Sequence, residues 1–500
     1  MYELYGDIIN IRRKVFSEVA RFAYADEPVA KAMGEAIIKI VPGEVANHRD
    51  SIFKERAIVG ERLRLTLGLP VRTAAELGVL ADGIDEVNVG VRMYKPPLVN
   101  VIPFACEACP TKTYEVTENC RKCLAHPCIN VCPVNAISMK KTKTEIDKEK
   151  CIRCGKCKEA CPYNAIIMYD RPCAVACGVN AIGSDHLGRA KINDEKCVSC
   201  GMCISHCPFG AISDKSQIYQ LIKSIKQGER RHLAIVAPAF VSQFGPIVSP
   251  EQVFEGIKKL GFDDVMEVGL GADIETIKEA MEYINEVPEK IPYMGTSCCP
   301  SWAAMVDKMF PDLKQYISDS ATPMIATAKY IKKNDNDAKI VFIGPCISKK
   351  LEALGEKVQE YVDFVITFEE LMGMFTAQDI ELSELEVTEK INDCSSLGRG
   401  FAESGGVANA VKNVIAELDP GKVVLYEKAN GLHECVKMLR LAKAGKKNGY
   451  LLEGMACEGG CIGGPGTLAS LARAQKALKA FKDQAQYRTP TVNPLVSNDK

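Results

Sequence analysis

Three apolar runs in the C-terminal half of the 500-residue chain end on cysteine. Residues 291–302 hold Cys298 and Cys299, residues 340–352 hold Cys346, and residues 450–465 hold Cys457 and Cys461. Thiolates gathered from such places can hold an iron–sulfur cube, because soft, anionic sulfur stabilises iron in a cluster. The loops that follow strands of an α/β domain are where ligands usually bind. Cys394 and Cys435 fall in no such segment and read as buried thiols acting as small hydrophobes.

A second set of cysteines fills residues 101–217. Four times the chain runs through cysteines into a near-identical stretch: Cys132-Pro-Val-Asn-Ala-Ile, Cys161-Pro-Tyr-Asn-Ala-Ile, Cys177-Gly-Val-Asn-Ala-Ile and Cys207-Pro-Phe-Gly-Ala-Ile. This resembles the half-repeat of bacterial ferredoxins, in which the last cysteine of each half ligates the cluster of the other. Two halves are complete, Cys151, Cys154, Cys157, Cys161 and Cys197, Cys200, Cys203, Cys207. A third has longer spacing, Cys120, Cys123, Cys128, Cys132, and the fourth keeps only Cys173 and Cys177, with Cys106 and Cys109 upstream to complete it.

Two pairings remain open. One joins the third half to Cys151, Cys154, Cys157 and Cys161, and the partial half to Cys197, Cys200, Cys203 and Cys207. The other is what a resemblance to the iron–iron hydrogenases implies: the two complete halves pair with each other, so that Cys207 joins Cys151, Cys154 and Cys157, and Cys161 joins Cys197, Cys200 and Cys203. Two to four 4Fe–4S clusters are expected, with a zinc knot at Cys106, Cys109, Cys120 and Cys123 as the alternative.

The three C-terminal segments, in this order, resemble the active-site signatures of the iron–iron (FeFe) hydrogenases, of the monomeric, ferredoxin-linked type. The resemblance covers about the last half of the chain. It implies an H-cluster, a 4Fe–4S cube bridged to a diiron centre with CO, CN and azadithiolate ligands. Cys299, Cys346, Cys457 and Cys461 match the cube ligands, and Cys461 also the bridge to the diiron centre. Cys298 matches the first proton carrier, Glu279, Ser318 and Glu282 the relay beyond it, and Lys349 the donor to a cyanide ligand. Glu352 is spaced to pair with Lys349, while Ala237, Pro238, Ala239 and Met455 match the pocket lining. The resemblance also implies cofactor maturation proteins as partners, and ferredoxin or a similar low-potential carrier. Departures mark a divergent subgroup: Gly344 and Met324 stand where well-studied members carry methionine and glutamine.

The implied activity is reversible reduction of protons to H2. A sensory hydrogenase and a non-catalytic Nar1-like iron–sulfur assembly protein are the alternatives; the latter lack the Cys298-Cys299 doublet. No dinucleotide fingerprint is evident, which argues against direct NAD use.

These residues need elements to hold them. From residue 230 to 484, strand-like runs at 233–240, 340–343, 362–367 and 422–426 alternate with helix-like segments, which predicts an α/β catalytic domain with a largely parallel sheet. Residues 101–217 predict ferredoxin-like α+β iron–sulfur units. Residues 1–100 lack cysteine and read as a helical region: Ile8, Ile11, Val15, Val19 and Phe22 form one stripe, and Val29, Met33, Ile37 and Ile40 another. Such helices suggest a packing or docking module, available for homo-oligomer formation. Residues 485–500 read as a flexible tail.

The formal net charge of −1 argues against a nucleic-acid partner, and no segment is long enough to suggest a membrane span. The first residues have no basic stretch followed by an apolar one. An odd count of 23 cysteines in repeated CxxC spacing favours metal thiolates in a reducing cytoplasm over disulfides.

Overall fold

A computed structural model describes residues 6–72, 78–84 and 95–497. Two parallel sheets form the α/β domain. The first runs Asp264–Glu267, His232–Val236, Lys339–Gly344, Phe364–Thr367 in spatial order, and the second Tyr293–Gly295, Tyr450–Met455, Leu425–Asn430. His232–Val236 is buried along its whole length, as a central strand covered on both faces requires. It stops short of the predicted residue 240, because Pro238 has no N–H for the ladder and opens the 3-10 turn Pro238–Phe240. The strand expected at 422–426 lies later, at Leu425–Asn430, on the exposed edge of the second sheet.

The cysteine array folds as two ferredoxin-like units. In the distal one, Thr113–Val116 pairs antiparallel with Ile166–Tyr169, and Ile137–Met139 with Thr144–Ile146. In the proximal one, Val99–Val101 pairs antiparallel with Ile212–Asp214, and Ile182–Ser184 with Ala190–Ile192. Each unit therefore closes with a strand that precedes its cysteines and one that follows them.

The N-terminal region is helical, with Gly6–Ala25, Val29–Ile40 and Ile52–Thr66, the last capped by the Ser51 side chain, which accepts from Phe53 N. Its apolar faces are taken up inside the chain, which corrects the expectation that they are available for an oligomer. Val15, Phe16, Val19, Phe22 and Met33 share one core with Phe368, Leu371, Met374 and Phe375 of helix Phe368–Ala377 and with the first sheet. The first helix crosses Phe368–Ala377 at Gly373, where a Cβ would meet Phe16 Cβ at 2.8 Å and backbone carbon at 2.9 Å. Residues 497–500 aside, the tail is also docked, against expectation. Ser396 N donates to Tyr487 O, and the fully buried Asn493 donates to Asp273 Oδ2 and Asp393 O, both at 3.1 Å.

Candidate metal centre

The C-terminal cysteines all stand just past the ends of parallel strands. Cys299 caps helix Pro300–Met309 after Tyr293–Gly295, Cys346 follows Lys339–Gly344, and Cys457 and Cys461 follow Tyr450–Met455. The second and third loops are tied together, since Gly466 N donates to Pro345 O at 2.9 Å. Burial pushes the thiol of Cys346 up to about 11 and that of Cys461 up to about 12, and each is raised further by the other cysteines of the group. Cys457 is raised well above the usual thiol range, first by burial and then by Cys346, Cys299 and Cys461. Burial raises Cys299 as well, and four such thiols ionise together only if a cationic core compensates them, which is how metal binding couples to proton release.

Lys349 supplies a second sign that the pocket is built for a charged group. It is 7% exposed, and its charge lowers the thiols of Cys299, Cys346 and Cys461. Nζ lies 2.7 Å from Glu352 Oε2, outside hydrogen-bonding angles, and has no hydrogen-bond acceptor among the described residues. Ala237, Pro238 and Ala239 turn off the neighbouring strand, and Met455 is buried at the end of its own. At Gly344 a Cβ would stand 2.6 Å from the Phe342 ring and 3.2 Å from Ala237 Cβ. The ring of Phe342 therefore leaves no room for a side chain at this position.

Cys298 is drawn toward a line of acids. Burial raises its thiol well above the usual range, followed by the charges of Glu453, Cys299 and Glu279. Glu279 and Glu282 share one face of helix Gly269–Glu286. Glu279 Oε1 accepts from Ser297 N at 3.1 Å and Ser297 Oγ at 3.2 Å, and burial pushes its carboxyl up to about 8. Ser318 Oγ donates to Glu282 Oε2 at 2.5 Å, and burial raises Glu282 as well. Glu282 is half-buried, so this line reaches the surface. Among the described residues no hydrogen bond joins Glu279 to Ser318.

Sequence reasoning missed Glu453. It is fully buried beside Cys298, and its oxygens accept from Gly405 N at 2.5 Å and Ala408 N at 2.8 Å at the start of helix Gly406–Leu418. A lone acid within the apolar run Tyr-Leu-Leu-Glu was the available signal. Cys394 and Cys435 are fully buried; Cys394 lies in a small apolar cluster, and Cys435 lies in the core against which Cys299 packs, its Sγ donating to Met455 O at 3.6 Å.

The array separates into four sets. Cys120, Cys123, Cys128 and Cys161 line one small cavity, and Cys132, Cys151, Cys154 and Cys157 another. Cys173 is pushed up to about 12, first by burial and then by Cys207, with Cys106 and Cys109 adding to it. Cys203 is raised by burial and then by Cys200, Cys197 and Cys177. Each half thus lends its fourth cysteine to its partner half, and the halves pair in chain order. The alternative joining Cys207 to Cys151, Cys154 and Cys157 is not what the structure brings together. The zinc knot is also excluded by placement, since Cys106 and Cys109 lie in the proximal unit and Cys120 and Cys123 in the distal one. No group of three or more His, Cys, Asp or Glu among the described residues closes to the spacing of a single ion.

The proximal unit is fastened to the C-terminal cysteines by two serines that sequence reasoning passed over. Ser301 Oγ, two residues past Cys299, and Ser348 Oγ, two residues past Cys346, both donate to Val198 O, at 3.3 and 3.2 Å. Val198 lies between Cys197 and Cys200, and the Cys200 thiol is raised by burial up to about 12, with Cys299 among the further causes. One cysteine set of the array therefore abuts the C-terminal set.

Residues 230–465 match the family described as iron only hydrogenase large subunit, C-terminal domain, and residues 144–167 and 190–213 match 4Fe-4S binding domains. The chain is 26% identical over 449 residues to iron hydrogenase 1 of Clostridium pasteurianum, covering 78% of this chain and 76% of that one. It is 27% identical over 394 residues to the periplasmic [Fe] hydrogenase large subunit of Nitratidesulfovibrio vulgaris, covering 67% of this chain and 90% of that one. It is also 31% identical over 150 residues to the cytosolic Fe-S cluster assembly factor NAR1 of Yarrowia lipolytica, 26% of this chain and 30% of that one. No described helix is long and apolar enough to cross a membrane.

Proposed function

Because the chain is a divergent FeFe-hydrogenase-like protein, we propose that it catalyses 2H⁺ + 2e⁻ ⇌ H2, exchanging electrons with ferredoxin or a similar low-potential carrier in the cytoplasm. Cys299, Cys346, Cys457 and Cys461 hold the cube of an H-cluster in this reading, and maturation proteins supply the diiron part. That group, when bound, supplies the bond chemistry of H2.

The observation that carries the reading is the fifth thiol. Cys299 completes a four-thiolate set with Cys346, Cys457 and Cys461, so Cys298 has no coordination site to fill, yet the charges of Glu453 and Glu279 act on it. Its Sγ exchanges a proton with the interior. Ser297 holds the Glu279 carboxylate in place through its N–H and hydroxyl, and the Ser318–Glu282 pair carries the proton to the half-exposed end of the line. The buried ammonium of Lys349, with donors to spare, binds and orients an anionic ligand of the cofactor. Electrons arrive through the array, whose Cys177, Cys197, Cys200 and Cys203 set adjoins Cys299.

A second reading, a non-catalytic assembly protein, is favoured by the local likeness to NAR1. Infrared spectra of the matured protein separate the two. The hydrogenase reading expects metal-bound CO and CN bands, kept in Cys298→Ala while turnover falls by about 10²–10⁴-fold, the usual weight of a general acid–base group. Cys298→Asp should recover part of the rate, and Cys299→Ala should lose the cube. Absence of the bands and of H2 turnover in protein whose cube is intact would favour the assembly reading.

A further inference from the structure

Two arginines are buried against one cysteine set with no carboxylate hydrogen-bonded to their guanidinium groups among the described residues; the acid whose charge acts on Arg62, Glu369, pairs with Arg12. Arg62, on helix Ile52–Thr66, is 5% exposed, and its Nη2 donates to the carbonyl of Gly210, three residues after Cys207. Gly210 has φ +57, and a Cβ there would stand 2.7 Å from Arg62 Nη2, so the guanidinium lies on the backbone turn that carries Cys207. Arg62 Nε and Nη1 are buried with no hydrogen-bond acceptor among the described residues. Arg171 is 2% exposed and stands two residues before Cys173; its backbone N donates to Asp170 Oδ1 at 2.8 Å, while its guanidinium donates to carbonyls. These are Cys109 O at 3.1 and 2.8 Å, Gly183 O at 2.5 Å and Gly188 O at 2.7 Å. Arg49 also reaches this turn, donating to Phe209 O at 2.6 Å, but Glu107 at 2.9 Å neutralises it.

A buried cation without a counter-ion is costly, and orphaned buried N–H groups call for an anion nearby. A cube held by four thiolates is such an anion, and it gains one further negative charge on reduction. Burial alone disfavours that extra charge and lowers the reduction potential; a fixed positive charge has the opposite effect. The distal unit has no such device. Thr144 is the one buried polar side chain in its described residues, and Cys154 is exposed, so water screens its charge.

We infer that Arg62 and Arg171 are positioning residues that raise the reduction potential of the cluster at Cys106, Cys109, Cys173 and Cys207, replacing the screening that water gives the distal clusters. Electrons entering at the surface are then drawn inward across the buried set instead of halting in the distal unit. The inference rests on reading this cysteine set as a cluster site.

Full-length protein with its array loaded and the diiron centre withheld is titrated potentiometrically and followed by electron paramagnetic resonance. The signal of this site is the one that Cys109→Ser removes. In Arg62→Met the reduced-to-oxidised ratio of that signal, at its wild-type midpoint, is expected to fall about tenfold, equivalent to about 59 mV for one electron. Distal signals should stay in place. Arg62→Lys, which keeps the charge, should restore the midpoint, and Arg62→Gln, which keeps a donor for Gly210 O, should reproduce the fall if methionine disturbs packing. A change below threefold with full iron, or an equal change in every signal, overturns the role of the arginines. Wild-type protein with no signal that Cys109→Ser removes overturns the cluster reading of this set instead.

Discussion

The distal and proximal ferredoxin-like units share one repeat and one topology, yet they stand in opposite surroundings. The distal unit has its own small core of Tyr114, Val116, Ile137, Ile146 and Ile166 around its cysteines, with no residue of the α/β domain in it. The proximal unit is built into the rest of the molecule. Cys177, Val179, Ala181 and Val198 share a core with Trp302, Leu432 and Leu452, and Cys173, Cys203 and Cys207 share another with Ile58, Leu65 and Ile347. A cysteine spacing thus defines what can be bound, while the neighbours decide how tightly the site is held and how easily it takes charge.

The sharpest way to break the comparison is to remove one ligand from each unit. Cys154→Ala and Cys200→Ala should each cost about four irons. Only Cys200→Ala should also lower the thermal midpoint of the α/β domain and stop an external carrier from reducing the cube. Equal effects in the two variants, by iron analysis, calorimetry and stopped-flow reduction, would mean the units are equivalent.

Next in size is the charge lock that joins the proximal unit to its neighbours. Lys350 Nζ donates to Asp214 Oδ2 and Glu370 Oε1, both at 2.9 Å, and Arg12 pairs with Glu369 at 2.7 Å and Asp214 at 3.5 Å. Asp214→Asn should destabilise the chain by about 3 kcal/mol at neutral pH. This is the low end for breaking a buried ion pair, because Lys350 keeps Glu370 and Arg12 keeps Glu369. Burial opposes ionisation of Asp214, but Lys350 and Arg12 outweigh it and hold its carboxyl below the usual carboxylate range. A lowered carboxyl contributes fully above its unfolded value and loses that contribution as pH falls through its folded one. The gap between wild type and Asp214→Asn in denaturant midpoint should therefore close in acid; a gap independent of pH would show that charge is not the cause.

Gly373→Ala probes the helices that carry Arg62 toward the proximal unit. With Phe16 backbone at 2.9 Å, the new methyl forces the helices apart, at about 1–3 kcal/mol. Amide exchange should quicken in Gly6–Ala25 and the proximal turn and stay unchanged in the distal unit. The smallest effect is expected from Ser348→Ala, which removes one hydrogen bond to Val198 O, about 0.5–1.5 kcal/mol by denaturant titration. A loss of that size in protein lacking a bound array would place the fastening in the fold itself and not in the metal.

Much of the architecture was legible in the chain. Alternating apolar segments announced the parallel α/β domain, and the fourfold Asn-Ala-Ile or Gly-Ala-Ile ending announced the ferredoxin-like units. The four strand-end thiols, Cys298 and the glutamates of the acidic helix were legible through their motifs. Glu453 was hidden because a strand residue shows no partner until helix Gly406–Leu418 is brought over it. The tail was misread because proline and polar residues look unstructured until Asn493 finds Asp273, which lies 220 positions away.

Local spacing determined which residues could act as soft ligands, since a CxxCxxC turn brings its thiols together by short-range backbone geometry alone. Tertiary structure decided the partner of each fourth cysteine, the tie of Val198 to Ser301 and Ser348 that brings Cys200 near Cys299, and the placing of Arg62 against the Cys207 turn. Those relations join segments dozens to hundreds of residues apart, and they are fixed by which apolar faces bury one another. The N-terminal helices show the reason most plainly: their stripe encoded only a need for cover, and packing against Phe368–Ala377 is what carries Arg62 to the array.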